Sequence, residues 1–358
     1  MAAKETFLEV AGREVRVSNP DKIYFPEPGY TKLDVVSYYA AVAPFMLPYL
    51  QDRPTALERW PDGVHPGVKM AQRGRRVGPG EAFYQKRVPS HAPDWIKSHE
   101  ISFPSGRTAD EITPTEQAVI VWCANLGTIV FHPWAVTAPD VEHPDELRLD
   151  LDPQPGTDFH DAIAAAEVLR GILDELGMQG WPKTSGGRGL HIFVPIEPRW
   201  DFIDVRHAAI GIGREMARRA PELVTVEWWK ENRGERIFLD YNQNARDRTI
   251  ASAFSVRPRP LAPVSTPLTW DEVPESEPGD WTITTVPQRL ADVGDVHADR
   301  WGQAFDLTPA LELYDGEEMA YPPDYPKMPG EPKRVQPSRN ADLTRGKAGK
   351  GGLDRAED

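Results

Sequence analysis

A single cysteine, Cys123, is present in 358 residues, so no disulfide framework holds this chain and a reducing compartment is expected. Cys123 lies within the apolar run 118–131, the setting of a buried structural thiol. Asn125 and Gly127 interrupt that run, which falls short of the ~20 apolar residues of a bilayer span. No charged-then-apolar leader opens the sequence, and no segment repeats. These absences predict a soluble, cytoplasmic protein with no membrane partner, long enough to bury a core unaided.

Basic residues are outnumbered, 41 Lys and Arg against 55 Asp and Glu, for a net charge of −14. The excess is local: residues 271–330 hold 14 acidic side chains against 3 basic ones, and the remainder is nearly balanced. Residues 63–107 hold eight Lys or Arg against three acids, interleaved with Phe83, Tyr84 and Trp95. Cations for phosphates and rings for bases suit an unpaired strand, with a plain solvated surface as the alternative. The acidic segment 271–330 is expected to be a solvated face.

Periodicity predicts a helix over 34–50 starting at Asp34, then long loops around short strands over 53–112, where Pro, Gly and charge are frequent. A helix follows over 114–126, strands over 128–131 and 146–152, and a helix over 158–177. Next come a strand over 190–196, a helix over 203–219 and strands over 223–228 and 235–241. Short helical pieces are predicted at 286–292 and 297–305. This alternation gives an α+β or mixed α/β domain, read as one catalytic unit over 1–310. Its parts are loops to 112, a core over 113–260 and an acidic extension over 261–310. Residues 311–358 read as a Pro/Gly/charged tail whose last part is disordered.

The chemistry concentrates in three places. In Leu147-Arg148-Leu149-Asp150-Leu151-Asp152-Pro153 the acids alternate with leucines, so on a strand both carboxylates face one side. Ile237-Phe238-Leu239-Asp240 delivers a third carboxylate at a strand end. Three such groups suit two hard cations, Mg2+ or Mn2+. Between them, Lys183-Thr184-Ser185-Gly186-Gly187-Arg188-Gly189-Leu190-His191 is a glycine-rich turn opening on a strand, where backbone N–H groups could cradle phosphate beside Ser185 and His191. It is not a Walker motif, because a strand follows and no lysine succeeds the last glycine. His132 ends another apolar strand, and Arg248, Arg257 and Arg259 follow the third carboxylate. Guanidinium forks suit phosphate oxygens, although singly each would be an ordinary surface charge.

In that order, these motifs resemble the polymerase domain of bacterial DNA ligase D, in the archaeo-eukaryotic primase superfamily, over roughly residues 15–310. Asp150-Leu151-Asp152-Pro153, Ser185-Gly186-Gly187-Arg188-Gly189-Leu190-His191 and Phe238-Leu239-Asp240-Tyr241 match its three motifs. The resemblance implies two small mixed β-sheets facing each other across the metal site, with helices outside. It implies a nucleotide-binding set of His132, Ser185, Gly186, Gly187, His191, Arg248, Arg257 and Arg259, with Arg248 where many relatives have Lys. Lys22 and Lys32 would grip a DNA 5′-phosphate. Phe83 and Tyr84, followed by Lys86, would stack on the template, Tyr84 departing from the second ring of the pattern.

The expected reaction is attack of a primer 3′-hydroxyl on the α-phosphorus of an NTP or dNTP, supported by two divalent ions on Asp150, Asp152 and Asp240. Mn2+ and ribonucleotides are the preferences that the resemblance implies. The partners would be gapped, nicked or broken DNA bearing a 5′-phosphate, with Ku and a separate ligase, in a nucleoid-associated cytoplasmic protein. No ligase region is recognisable within 358 residues, which leads to the expectation of a stand-alone relative. The alternatives are a primase needing no primer, a non-catalytic DNA-end binding module and a two-metal nuclease.

Overall fold

A computed structural model describes residues 4–71, 78, 80–103, 106–317, 319 and 322. The tail predicted to be disordered, and part of the basic stretch 63–107, lie outside the described residues.

The chain opens with an antiparallel hairpin, β1 (Glu5–Val10) and β2 (Arg13–Ser18), then a small pair, β3 (Ile23–Phe25) and β4 (Tyr30–Thr31). The first long helix, α1 (Lys32–Leu50), is capped by Thr31 rather than Asp34. Asp34 is the third helical residue, and it and Thr31 satisfy each other's backbone N–H groups in a capping box. By length and composition α1 could cross a membrane. Here it is a core helix: Val35, Val36, Tyr39, Val42 and Met46 are buried in one hydrophobic cluster with α2 (Gln117–Asn125).

Two five-stranded sheets follow. The first contains β5 (Thr55–Arg59), β6 (Phe83–Gln85), β7 (Ser98–Ser102), β8 (Thr108–Ile112) and β9 (Thr128–Pro133). All its pairings are antiparallel, so only the second sheet is mixed as expected. That second sheet has the order β11 (Trp181–Thr184), β12 (Leu190–Pro195), β10 (Glu146–Pro153), β14 (Ile237–Leu239), β13 (Val224–Thr225), with β13 and β14 parallel. Helices α3 (Phe159–Glu175) and α4 (Phe202–Arg219) cover it, burying Leu169, Ile172, Val205 and Ile212 with Leu147, Leu149 and Leu151. Asp158 and Asp201 cap these helices by accepting from backbone N–H groups.

The α+β class and the helices of the core agree with the sequence reading. The strands near 224 and 237 are shorter than predicted. The predicted helix over 297–305 is only a turn, Ala298–Arg300, because Arg300 turns inward to the buried Glu146 and Gly302 adopts φ +90°. A one-turn helix, α5 (Lys230–Arg233), precedes β14. Between 250 and 266 the chain laces the sheets together. Ser252 N–H donates to Phe131 O of β9 at 2.9 Å, and Thr184 N–H of β11 donates to Thr266 O at 2.9 Å. The 261–310 segment is not a detached extension: Val264 and Ile283 enter one core, Leu268 and Val273 the other. Helix α6 (Val286–Val293) packs there through Val286 and Leu290.

Candidate active site

Antiparallel register assembles the carboxylates. Asp150 on β10 faces His191 on β12, and His191 faces Lys183 on β11. On the other side, Asp240 N–H donates to Asp150 O at 2.9 Å, bringing the end of β14 alongside. Lys183, His191, Asp150 and Asp240 thus form one cross-strand row, with Asp152 two residues beyond Asp150 on the same face.

Charge is concentrated there. Burial, then repulsion from Asp240 and Asp152, pushes Asp150 well above the ordinary aspartate range. Burial also raises Asp152 and Asp240. An all-oxygen set of mutually repelling carboxylates matches what hard divalent ions accept. Among the described residues, no three His, Cys, Asp or Glu side chains close round a common point. Instead the Gln243 amide bridges two of the acids, Nε2 donating to Asp150 Oδ2 at 3.3 Å and to Asp240 Oδ2 at 3.2 Å. The donor chemistry therefore fits a cation shared by Asp150 and Asp240, with an amide dipole now between them.

The glycine turn is built differently from a nest aimed at an anion. Gly187 and Gly189 N–H both donate to Ser185 Oγ at 3.2 Å, so these donors are spent inside the turn. As acceptor of both, Ser185 keeps its own hydroxyl proton for an outside partner. Space explains the glycines: Gly186 has φ +69°, and a Cβ there would lie 2.3 Å from Arg257 Cγ. A Cβ at Gly187 would lie 2.9 Å from Arg259 Nη2. The turn is thus a seat for the two arginines, which it brings to the row from the 250–266 lacing segment. Arg248 lies at the other end, near Asp240, and its Nε donates to the Asn242 side-chain oxygen at 3.2 Å once that amide is turned over.

On the first sheet, His132 ends β9 and Tyr84 projects from β6, their rings edge to face at 5.3 Å. Arg59 covers Phe83 at 5.2 Å, and Lys86 Nζ covers Phe103 at 4.5 Å, so Lys86 points along the sheet rather than stacking with Tyr84. Arg257, whose Cγ lies against Gly186 of the turn before β12, acts electrostatically on both His132 and His191.

Lys22 and Lys32 sit apart, beside the small β3–β4 pair. Lys22 pairs with Asp62 and donates to Pro61 O at 2.8 Å. Lys32, 5 % exposed, donates to Ser18 O at 2.7 Å, Ser18 Oγ at 3.1 Å and Asn125 Oδ1 at 2.9 Å. Burial, then Lys22 and Arg59, lowers it to about 8.

Several residues escaped the sequence reading. Lys183 opens the glycine-turn motif with no local sign of a role, and Gln243 follows Asp240 by one helical turn, a spacing that points to it. Glu58 on β5 carries no local signal. A cleft of ≈ 420 Å3 opens beside Asp152 and Asp240, lined by Trp228, Trp229, Lys230, Arg233 and Phe238. Arg233 lies over the Phe238 ring at 3.4 Å.

The profile of the primase-polymerase domain of LigD matches residues 31–297. The multifunctional non-homologous end joining protein LigD of Mycolicibacterium smegmatis is 32% identical over 290 residues, covering 79% of this chain and 36% of that protein. The bifunctional LigD of Bacillus subtilis is 31% identical over 283 residues, 78% of this chain and 43% of that protein. The chain therefore spans about a third to under half of these relatives. The polymerase domain from Mycobacterium tuberculosis ligase D, solved in complex with DNA, superposes with a TM-score of 0.71 at 27% identity, covering 81% of this chain and 98% of that domain.

Proposed function

Because the chain belongs to the LigD primase-polymerase family, we propose that it is a template-directed nucleotidyl transferase extending a primer 3′-hydroxyl at DNA breaks and short gaps. The observation that carries this reading is the row Lys183–His191–Asp150–Asp240, ending at carboxylates and flanked by Ser185, Arg257 and Arg259.

Each residue has a distinct task. Asp150, Asp152 and Asp240 would hold divalent cations, Mn2+ or Mg2+, which supply charge neutralisation at the 3′-hydroxyl and the phosphates. Ser185 and His191 present hydrogen-bond donors to the triphosphate, and Arg257 and Arg259 take its oxygens in bidentate pairs. Arg248 counterbalances Asp240. No side-chain nucleophile is required, since the primer hydroxyl attacks the α-phosphorus and pyrophosphate leaves. Tyr84 and Phe83 offer rings to template bases.

Lys22 and Lys32 are assigned to a 5′-phosphate. Lys32 is a buried cation whose contacts are all uncharged acceptors, with Lys22 adding repulsion. Such a locus gains when a dianion enters. Ribonucleotide preference belongs to this reading, as does non-homologous end joining, with Ku and a ligase as partners.

The test is extension of a labelled primer across a short gap, with Mn2+ or Mg2+ and either rNTPs or dNTPs. Extension that Asp150→Ala/Asp152→Ala loses, and that weakens without the 5′-phosphate, supports the reading. Intact DNA binding without extension under either metal would replace it with an end-binding module.

A further inference from the structure

Glu58 belongs to none of the motifs, yet it stands at the centre of the first-sheet half of the site. It is 5 % exposed. Its Oε2 lies 3.1 Å from His132 Nε2, and its Oε1 accepts from Trp60 Nε1 at 2.9 Å. Tyr84 is its cross-strand partner, and burial, then the Glu58 carboxylate, raises the Tyr84 hydroxyl to about 12. Arg257, on the segment that laces the two sheets, acts on it electrostatically. Burial works against this carboxylate, but the hydrogen bonds from His132 and Trp60, with Arg257, outweigh it and hold Glu58 below the ordinary glutamate range.

An ionised carboxylate only accepts hydrogen bonds, so His132 Nε2 must carry the ring proton. A second proton on Nδ1 is opposed first by burial, Glu58 notwithstanding, and then by Arg257 and Lys183. The free nitrogen is thus a lone pair. Among the described residues Nδ1 makes no hydrogen bond, and it is not among the buried atoms left unpaired, so it is open to a ligand. A lone pair repels phosphate oxygens and attracts a hydroxyl hydrogen. His191 is the opposite case: Lys183 holds its Nδ1, leaving Nε2–H as a donor.

We propose that Glu58 is a positioning residue that fixes His132 as a hydrogen-bond acceptor for a sugar hydroxyl of the incoming nucleoside triphosphate. This assigns His132, a member of the expected nucleotide-binding set, to the sugar rather than to the phosphates. It rests on the nucleotidyl transfer reading and adds the source of sugar discrimination.

The experiment is a coupling cycle on the full chain. Equilibrium binding and primer extension are measured with NTP, 2′-deoxy-NTP and 3′-deoxy-NTP for wild type, Glu58→Gln and His132→Phe, with thermal melting as the folding control. One neutral hydrogen bond corresponds to roughly 5–10-fold in affinity. Wild type should lose about that factor in nucleotide Kd and KM, with little change in kcat, when one sugar hydroxyl is removed. In Glu58→Gln and His132→Phe, removing that same hydroxyl should change nothing further. The 2′- and 3′-deoxy arms identify which hydroxyl is read.

Equal sensitivity of wild type and Glu58→Gln to both deletions, in variants that melt like wild type, would overturn the assignment. If Glu58→Gln melts early, folded His132→Phe decides the matter by the same comparison. A wild type that binds nucleotide but extends nothing removes the transfer reading alone, and the coupling still decides this one. A wild type that binds no nucleotide removes both.

Discussion

Nζ of Lys183 lies 2.8 Å from Nδ1 of His191, its cross-strand partner, and both side chains are buried. Lys183 also donates to Ser265 Oγ, which in turn donates to Thr184 O at 2.6 Å, so the amine is locked in place. Burial, then repulsion from Arg257, holds the amine well below the ordinary lysine range. His191 is left with its proton on Nε2, 3.5 Å from Asp150 Oδ1. Lys183→Met should release the ring to both tautomers and raise the nucleotide KM by about 5–10-fold, the worth of one hydrogen bond. Nitrogen chemical shifts of His191 in the two proteins check the tautomer directly, and a single unchanged tautomer in Lys183→Met would refute the assignment.

Asp150 shows a trade between stability and function. Its ionised form is disfavoured by burial and by Asp240 and Asp152, so Asp150→Asn should stabilise the metal-free chain, with Tm rising by about 2–4 °C. Extension should fall by at least about 100-fold. Melting curves at neutral pH with a chelator present give the first number and gap-filling rates the second.

Stability should fall between pH 4.5 and about 7 because of Glu111, whose carboxyl burial raises from 4.5 to about 7. Trp134 Nε1 donates to its Oε2 at 3.0 Å, while Oε1 is buried without a partner. With the folded pKa above the unfolded one, the folded state binds the extra proton. The contribution is therefore complete below pH 4.5 and lost as pH rises through about 7. Glu111→Gln should flatten this slope in urea midpoints measured across that range.

Gly186→Ala and Gly187→Ala should differ in severity. The first combines φ +69° with a Cβ 2.3 Å from Arg257 Cγ, where the stem of the arginine must move; the second meets only the guanidinium end of Arg259 at 2.9 Å. Nucleotide affinity should drop by more than about tenfold in Gly186→Ala and by a few-fold at most in Gly187→Ala. Nucleotide titrations rank the two.

On the same strand as Asp150, Glu146 accepts from Arg148 Nε at 2.9 Å and pairs with Arg300, and all three side chains are buried. Removing the carboxylate leaves two guanidinium groups without their countercharge. Glu146→Ala should cost about 3–5 kcal/mol, measurable by denaturant unfolding. An ordinary surface-like cost of under about 1 kcal/mol would show that the network is dispensable.

Much of this protein is legible in one dimension because its signals are local. Alternation in Leu147–Asp152 places two acids on one face of a strand, and 3.6-residue periodicity marks α3 and α4. Glycines mark the turn before β12, and the order of motifs leads to the family. Local signals also mislead: Asp34 looks like a helix start, but Thr31 is the cap, and Gly187 and Gly189 look like an anion nest but donate to Ser185 Oγ.

Which residues could do chemistry was therefore written in the sequence: the carboxylates, the glycine turn, the histidines and the arginines. Their working states were decided only in three dimensions. Antiparallel register sets Lys183 and Asp150 on either side of His191, and Glu58, 74 residues from His132, selects its protonated nitrogen. Burial makes such pairings decisive, since a buried ring nitrogen must take its partner from whatever strand lies beside it, and strand neighbours are not sequence neighbours.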